Sequence, residues 1–309
     1  MVADRQAKGR GMREKFADTR FSRKSAAMIE VVNSILEEYA GQGYDLTLRQ
    51  LYYQLVARAY IENSVKTYKQ LGGVVSDARM AGLIDWDMIA DRGRQTITPT
   101  HWESPGEMIE AATDQFAVDK WADQDNHVEV MVEKQALEGV LIPVCRDLDI
   151  RFTANKGYSS MSALYEAGRR LRDFAERGKS IKILYLGDHD PSGLDMTRDV
   201  DERIKTFVGF DVDIVVDRLA LNGDQIRELN PPENPAKATD TRFKAYADEY
   251  GLSSWELDAI EPRRLAQIVT TAVEALRDAT KWEVAVKRED DMKADLLSFA
   301  TSYSAGGFR

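Results

Sequence analysis

The sequence predicts an α/β protein with a helical N-terminal domain, then a parallel β-sheet covered by helices, and a helical C-terminal extension. Two observations predict this arrangement. Apolar residues recur at helical spacing between residues 25 and 81, and strand-like segments alternate with helix-like ones from residue 127 onward. A chain of 309 residues, 43% of them hydrophobic, is long enough for two domains that each bury a core.

Three helices are predicted in the N-terminal part. The first covers residues 25–40, in which apolar residues lie three to four positions apart. The second begins after Thr47, because Gln50 three residues later completes a capping box, and it runs to about Ala59. The third covers residues 67–81, where a glycine follows as a stop signal.

Two short apolar pairs, at residues 83–84 and 88–89, are separated by the segment DWD and predict a small hairpin. Three helices followed by a hairpin are the outline of a winged helix-turn-helix domain, here over residues 25–97. Such domains bind double-stranded DNA through the third helix and the wing. The basic residues expected to contact DNA phosphates from the third helix are Lys66, Lys69 and Arg79.

Basic residues are concentrated at the N-terminus. Residues 1–24 carry 8 Lys and Arg against 3 Asp and Glu, although the whole chain has a net charge of −10. Such an arm is suited to lie along phosphates, and a solubilising disordered tail explains it equally well. The acidic remainder offers DNA little attraction, so bound metal and a local basic groove would have to offset it.

The sheet domain is expected over residues 109–309, after a proline-containing linker at 98–108. Strands and helices alternate in it as in a parallel sheet with helices on its faces, and such sheets bind ligands at the carboxyl ends of their strands. The predicted strands are 127–133, 150–154, 181–187 and 211–221. The other predictions are helices at 136–148 and 159–177, a polar loop at 230–240 and a mainly helical tail at 262–303.

Three carboxylates fall at carboxyl ends of the predicted strands. Glu133 ends the first strand, and Asp188 and Asp190 directly follow the third. Oxygen ligands clustered in this way suit Mg²⁺ or Mn²⁺, which can clamp phosphoryl oxygens. Helix capping is the alternative role for the two aspartates. His189 should point away from them if the segment is extended, so it is expected to tune the site or contact substrate.

A second acidic pair, Glu256 and Asp258, lies in the segment WELDAIEP. A helix-start cap is the favoured interpretation, because acids are common there, and a metal contact or a base near the site is the alternative. Cys145 is the only cysteine, which excludes a disulfide framework and fits a cytoplasmic setting. No apolar run approaches the ~18 residues of a membrane span, so no membrane partner is expected.

Four segments carry a resemblance to a known family. VMVEKQAL around Glu133, NKGYSS at 155–160 and LGDHDPSG at 186–193 resemble motifs of the Toprim domain, a Rossmann-like parallel sheet, in the type IIB topoisomerase A subunit and the related meiotic double-strand-break transesterase. TLRQLYYQL at 47–55 looks like the N-terminal motif of the same family. The chain departs from the family at His189, where a small residue is usual, and at Ser159, where a proline is usual.

The resemblance implies that Tyr53 attacks a DNA phosphate. In the helical register the core face holds Tyr52 and several leucines, so Tyr53 is expected off that face, one turn after Arg49. Arg49 would hold the phosphate and stabilise the phenolate, which a phenol with a pKa near ~10 requires. The alternative is that Tyr53 merely packs against the other domain.

The resemblance further implies a Mg²⁺ or Mn²⁺ centre at Glu133, Asp188 and Asp190, in which Glu133 also acts as a general acid or base. Lys134 and Lys156 are candidates for phosphate contacts. The family's composite active sites imply a homodimer, and a separate ATPase subunit would be needed for strand passage because the chain has no Walker-type glycine loop.

Two other functions remain open from the sequence. The first is a Toprim nuclease, in which metal-bound water rather than a tyrosine attacks the phosphate. The second is a non-catalytic DNA-binding module whose acids only cap turns. Cleavage products distinguish the first of these from transesterification, and the second predicts no cleavage.

Overall fold

The computed structural model describes residues 13–90, 99, 101, 102, 104–209 and 211–305. It shows an α/β protein with a four-stranded parallel sheet between layers of helices, preceded by a helical N-terminal part. In the described part of the chain, no helix is long and apolar enough to cross a membrane.

The three predicted N-terminal helices are confirmed. They are α1 (Arg23–Ala40), α2 (Leu48–Ala57) and α3 (Val65–Met80). Each begins after a hydroxyl side chain that accepts a backbone N–H, and Thr47 forms the predicted capping box with Gln50. They pack around one core, whose fully buried members include Val32, Ile35, Leu51, Leu55 and Ile84.

The predicted hairpin is wrong for the residues that the structure describes. Trp86–Met88 form a 3₁₀ turn instead, because the Asp85 side chain accepts the N–H of Asp87 and caps it. Ile89 then makes a single parallel bridge to Leu46. The predicted wing beyond residue 90, like residues 1–12 of the predicted basic arm, lies outside the described residues.

The predicted parallel sheet is confirmed. Its strands are β1 (Asn126–Val132), β2 (Arg151–Ala154), β3 (Ser180–Leu186) and β4 (Ile214–Ala220), in the order β2-β1-β3-β4. The helices connecting them are α5 (Glu138–Asp147), α6 (Met161–Glu176) and α7 (Pro191–Val208), and α4 (Pro105–Gln115) precedes the sheet. Because α4 starts at Pro105, the predicted linker is already helical in its last residues.

Both faces of the sheet are buried. Val128, Val130 and Val132 of β1 contribute to one core, whereas Met131 points into the other. This alternation follows from the two-residue period of a strand. Burial on both faces explains why β3 reads as an almost continuous apolar run.

The chain beyond β4 folds back over the carboxyl edge of the sheet. It contains α8 (Gly223–Leu229), β5 (Glu233–Pro235), α9 (Phe243–Tyr250), β6 (Ser253–Trp255), a 3₁₀ turn at Leu257–Ala259, α10 (Pro262–Ala275) and α11 (Ala279–Ala305). The helical tail is confirmed, but the polar loop predicted at 230–240 is partly wrong because β5 pairs antiparallel with β6.

The N-terminal helices dock on this folded-back segment. Ala259 of the 3₁₀ turn belongs to the N-terminal core. Asn63 donates hydrogen bonds to Glu233 O at 2.9 Å and to Asn234 Oδ1 at 2.8 Å. Helix α2 is thereby held at the carboxyl edge of the sheet, beside the two-stranded sheet.

Candidate functional site

A cleft of about 520 Å³ lies at the carboxyl ends of β1 and β3. The segments that follow these strands form its floor, and α2 and the β5–β6 sheet contribute its walls. Open parallel sheets bind ligands in this position. Its charged lining residues are Arg49, Glu133, Lys134, Lys156, Asp188, Asp190, Lys237, Glu256 and Asp258. The structure thus brings together the three predicted metal ligands, the predicted arginine and two of the predicted DNA-contacting lysines.

Two glycines let the turn after β3 fold tightly against Glu133. A Cβ added at Gly193 would lie 2.2 Å from Asp188 O, and one added at Gly187 would lie 2.9 Å from Glu133 Oε2. At Gly193 a side chain would displace the turn backbone, whereas at Gly187 it would displace the Glu133 carboxylate. The Glu133 carboxylate accepts the Asp188 N–H at 2.9 Å. The glycines therefore fix the relative position of two predicted metal ligands.

Both carboxylate oxygens of Asp188 are engaged. Oδ1 accepts the Leu257 N–H at 2.8 Å, and Oδ2 lies 2.8 Å from Lys134 Nζ. Burial and the nearby Glu133 together raise the pKa of Asp188 to about 7, although Lys134 opposes both. Burial likewise raises the pKa of Glu133. Both carboxylates are therefore harder to ionise than exposed ones, chiefly because they are buried.

Asp190 is half-buried and caps α7. Its Oδ1 accepts the Gly193 N–H at 2.6 Å and the Ser192 hydroxyl at 2.8 Å. Helix capping, the alternative role that the sequence suggested for the two aspartates, is thus confirmed for Asp190. Both of these bonds go to Oδ1, and Asp190 also lines the cleft.

Lys134 contacts three carboxylates. Its Nζ lies 2.8 Å from Asp188, 2.8 Å from Glu256 and 2.6 Å from Asp258. Burial alone would lower the pKa of Lys134, but these carboxylates raise it above its ordinary value. An ammonium has three N–H donors, so this lysine has no donor left for a phosphate while the three contacts persist.

Glu256 and Asp258 belong to the site, so the favoured interpretation of them as a helix-start cap is wrong. Neither carboxylate caps the 3₁₀ turn; both contact Lys134 and Arg49 instead. Arg49 Nε lies 3.1 Å from Asp258 Oδ2, and the same guanidinium donates to Glu256. Although burial opposes it, Lys134 and Arg49 together hold the pKa of Glu256 at about 2.

Tyr53 is buried, which corrects the expectation that it lies off the core face. Only 3% of it is exposed, and the Arg49 guanidinium lies 5.8 Å from the centroid of its ring. Burial raises the phenol pKa, and Glu256 adds to this effect. Its ring packs edge-on against Tyr52 within the N-terminal core. Helical periodicity located the core face correctly for Tyr52, but the N-terminal core also encloses Tyr53, and the 3₁₀ turn at Leu257–Ala259 packs on α2.

Arg218 of β4 is a site residue that the sequence did not reveal. Its guanidinium donates to the carbonyl oxygens of Gly187, Asp188 and Gly193, at 3.1 Å for Gly187 and 3.0 Å for Gly193. It therefore fixes both ends of the acidic turn from behind. The only sequence signal was an arginine inside an otherwise strand-like segment, IVVDRLA.

His189 is a packing residue rather than a lining residue of the cleft. It is buried among the rings of Tyr246, Tyr250 and Trp255, and its Nδ1 lies 3.0 Å from the Tyr246 hydroxyl. Its backbone bridges to Trp255 in both directions. Burial, reinforced by Arg218, lowers its pKa to about 4, so the ring is neutral near pH 7. It ties the acidic turn to β6.

The other predicted DNA-contacting residues are spread more widely. Lys156 is exposed at the cleft, and Lys237, which the sequence did not suggest, lines it as well. Lys66 and Lys69 are exposed on α3 but do not line the cleft. Arg79 donates to Trp86 O at 2.8 Å and to Ile89 O at 2.7 Å, so it holds the chain after α3 in place.

The donor chemistry of the cleft fits a hard divalent cation. Glu133, Asp188 and Asp190 supply only oxygen ligands, the donors that Mg²⁺ and Mn²⁺ prefer. Within the described ranges, no group of three or more His, Cys, Asp or Glu side chains is arranged to hold a metal ion as it stands. Asp188, which is bound to Lys134 and Leu257, would have to share or exchange a contact.

Comparison with models of known protein families found none that matches this chain, and comparison with curated proteins found no significant match.

Proposed function

We propose that this chain is a divalent-metal-dependent DNA-cleaving enzyme similar to the type IIB topoisomerase A subunit, with Tyr53 as its nucleophile. One observation carries the proposal: Glu133, Asp188 and Asp190, the three predicted ligands of a divalent cation, line a single cleft at the carboxyl ends of β1 and β3. In this proposal the parallel sheet is a Toprim domain. Helices α1 to α3 are a winged helix-turn-helix variant that presents Lys66 and Lys69 to DNA.

Each group has a defined role in the proposed transesterification. Mg²⁺ or Mn²⁺, when bound by Glu133, Asp188 and Asp190, would supply charge neutralisation at the scissile phosphate. The Tyr53 oxygen forms a bond to phosphorus, the bond to the DNA 3′ oxygen breaks, and a 5′-phosphotyrosyl link results. The phenol proton passes to a base, for which Glu133 is suited by its raised pKa, and the 3′ oxygen takes up a proton. Arg49 offsets the charge of the phenolate.

The burial of Tyr53 requires a movement before attack. Tyr53 is 3% exposed, so helix α2 or the elements packed on it must shift for the hydroxyl to reach a phosphate. A homodimer in which each Tyr53 serves the acidic centre of the other subunit, together with a separate ATPase subunit, would provide such a movement. Both partners are part of the proposal.

The same burial favours a second candidate, a nuclease in which water is the nucleophile. A phenol that is 3% exposed and whose pKa lies above its ordinary value is poorly prepared to attack. The acidic cleft would then serve DNA hydrolysis without Tyr53, and Arg49 would only join α2 to the sheet domain.

Supercoiled DNA incubated with the protein and Mg²⁺ or Mn²⁺ separates the candidates. If Tyr53 is the nucleophile, the wild type should leave protein-linked 5′ ends. Tyr53→Phe should then abolish the adduct and reduce the cleavage rate by at least about 10³-fold, since no other group makes that bond. The matched control is Tyr52→Phe, which removes a tyrosine hydroxyl from the same helix as Tyr53. That hydroxyl donates a hydrogen bond to Asn63, and the variant should retain the adduct.

Free 5′-phosphate ends from Tyr53→Phe at the wild-type rate would establish the nuclease and exclude the transesterase. No cleavage by the wild type, together with DNA binding that is indifferent to Mg²⁺, would exclude both enzymes. Asp190→Asn should abolish cleavage in either enzymatic case, because both depend on the acidic centre.

A further inference from the structure

The Lys134 ammonium is surrounded by acids in the manner of a bound cation. Carboxylates of Asp188, Glu256 and Asp258 lie 2.6–2.8 Å from its Nζ. They come from two separated segments, the turn after β3 and the segment after β6. Asp258 is fully buried at its side chain and Lys134 is about 19% exposed there, so water contributes little to this neutralisation.

Charge balance shows how many further cations the cleft needs. Its five carboxylates, from the described part of the chain, are Glu133, Asp188, Asp190, Glu256 and Asp258. Three cationic side chains contact these acids or their turn: Lys134, Arg49 and Arg218. Lys156 and Lys237 also line the cleft, but both are exposed, and no ion pair joins either to these carboxylates in the described part of the chain. Among the groups in direct contact, two negative charges remain, which one divalent cation balances. A second divalent cation would have to enter where the ammonium already lies.

We propose that Lys134 is a positioning residue whose ammonium takes the place of a second metal ion, so that the centre binds one divalent cation. The inference rests on the proposed metal centre at Glu133, Asp188 and Asp190, and it names the residue that limits the number of ions there. Asp188 lies between the two positions, because it contacts Lys134 through Oδ2 while its backbone N–H holds Glu133. Lys134 therefore also sets the orientation of a ligand of the first ion.

The difference in bound ions between wild type and Lys134→Ala tests this role. Mn²⁺ binding to the full-length protein should be counted by isothermal titration calorimetry and by electron paramagnetic resonance of free Mn²⁺. The wild type should bind one ion and Lys134→Ala two, because the substitution leaves three carboxylates around a vacated space. The double variant Lys134→Ala/Asp258→Asn should bind one ion again, since one of those carboxylates is neutralised.

Lys120→Ala provides the matched control. Lys120 is as buried as Lys134 and is 2.6 Å from Glu289, but it lies away from the cleft, so the number of bound ions should not change. Lys134→Arg keeps the positive charge and should also bind the wild-type number.

The same number of ions in Lys134→Ala and wild type would overturn the role assigned to Lys134. The absolute number in the wild type tests the proposed function separately: if the wild type binds none and Lys134→Ala binds one, Lys134 does replace a cation but the metal centre at Glu133 is wrong. If Lys134→Ala is unfolded without metal, Mn²⁺ should restore its wild-type circular dichroism. Failure of Mn²⁺ to do so would also overturn the inference.

Discussion

At the scale of single residues, Glu256 joins the two halves of the molecule. Its carboxylate contacts Lys134 of the sheet domain at 2.8 Å and Arg49 of α2. These two cations hold its pKa at about 2, against 4.5 for an ordinary glutamate. The group therefore remains ionised when most carboxylates have been protonated, and its ion pairs stabilise the fold far into acid.

The pH dependence of stability follows from this depressed pKa. Since the folded-state value lies below the unfolded one, the stabilisation is fully present above about pH 4.5 and is lost as the pH falls through about 2. Glu256→Gln should reduce the free energy of unfolding by on the order of 2 kcal/mol at pH 6, and the difference from wild type should shrink between pH 4.5 and 2. Urea unfolding at a series of pH values measures both.

The control for this prediction is Glu228→Gln, at an exposed acid that contacts Arg264. An exposed ion pair contributes little, so its unfolding curves should run parallel to those of the wild type. A difference between Glu256→Gln and wild type that stays constant down to pH 2 would contradict the assignment of the two cations as the stabilising partners.

At the scale of elements, local sequence patterns predicted the regular helices and strands, but they did not predict structure that depends on contacts between distant residues. The capping box of α2 and the apolar run of β3 depend only on residues that are close together in the sequence, so both were predictable. Strand β5 has three residues, one of them proline, and exists because it pairs with β6 eighteen or more positions later. The residues next to β5 in the sequence do not predict its pairing with β6.

The candidate site shows the same division. The motifs around Glu133 and Asp188 predicted the acidic centre because strand ends in a parallel sheet meet at one edge. The burial of Tyr53 was not predicted because it depends on the tertiary packing of the N-terminal core, in which its ring lies edge-on to Tyr52. The role of Glu256 escaped for a similar reason, since its position before a short helical turn matches an ordinary cap.

Docking of α2 on β5 depends on Asn63, and its removal should loosen both elements. Asn63 donates to Glu233 O and Asn234 Oδ1 and accepts from the Tyr52 hydroxyl at 2.9 Å. Asn63→Ala should lower the free energy of unfolding by about 1–3 kcal/mol, because it removes these bonds and leaves buried polar groups unsatisfied. Hydrogen exchange at Asn234 should become faster.

Glu38→Ala, which removes an exposed ion pair with Arg58, is the comparison and should cost less than about 1 kcal/mol without changing exchange in β5. Unchanged protection of β5 in Asn63→Ala would mean that the N-terminal helices and the two-stranded sheet are held together by other contacts, such as Arg49 with Glu256.

At the scale of the whole molecule, net charge would limit where the proposed DNA substrate can bind. The chain carries 42 Lys and Arg against 52 Asp and Glu, a net charge of −10. A polyanion is therefore repelled by the molecule as a whole and attracted only where basic side chains are exposed together. Lys156 and Lys237 supply such a place, since both are exposed at the rim of the acidic cleft.

The salt dependence of DNA binding tests that location. Each phosphate contact contributes about −0.9 to the slope of log K against log salt, so Lys156→Gln/Lys237→Gln should make the slope shallower by about 2 and weaken binding at low salt. Fluorescence anisotropy with a labelled duplex at several salt concentrations, in Mg²⁺, measures the slope. Lys287→Gln/Arg288→Gln removes the same charge from exposed positions on α11 and should shift affinity slightly at an unchanged slope. Equal slopes for the cleft variant and the wild type would mean that the cleft rim does not contact the DNA backbone. The proposed cleavage centre could not then position a scissile phosphate. The exposed Lys66 and Lys69 of α3 would be the next surface to change.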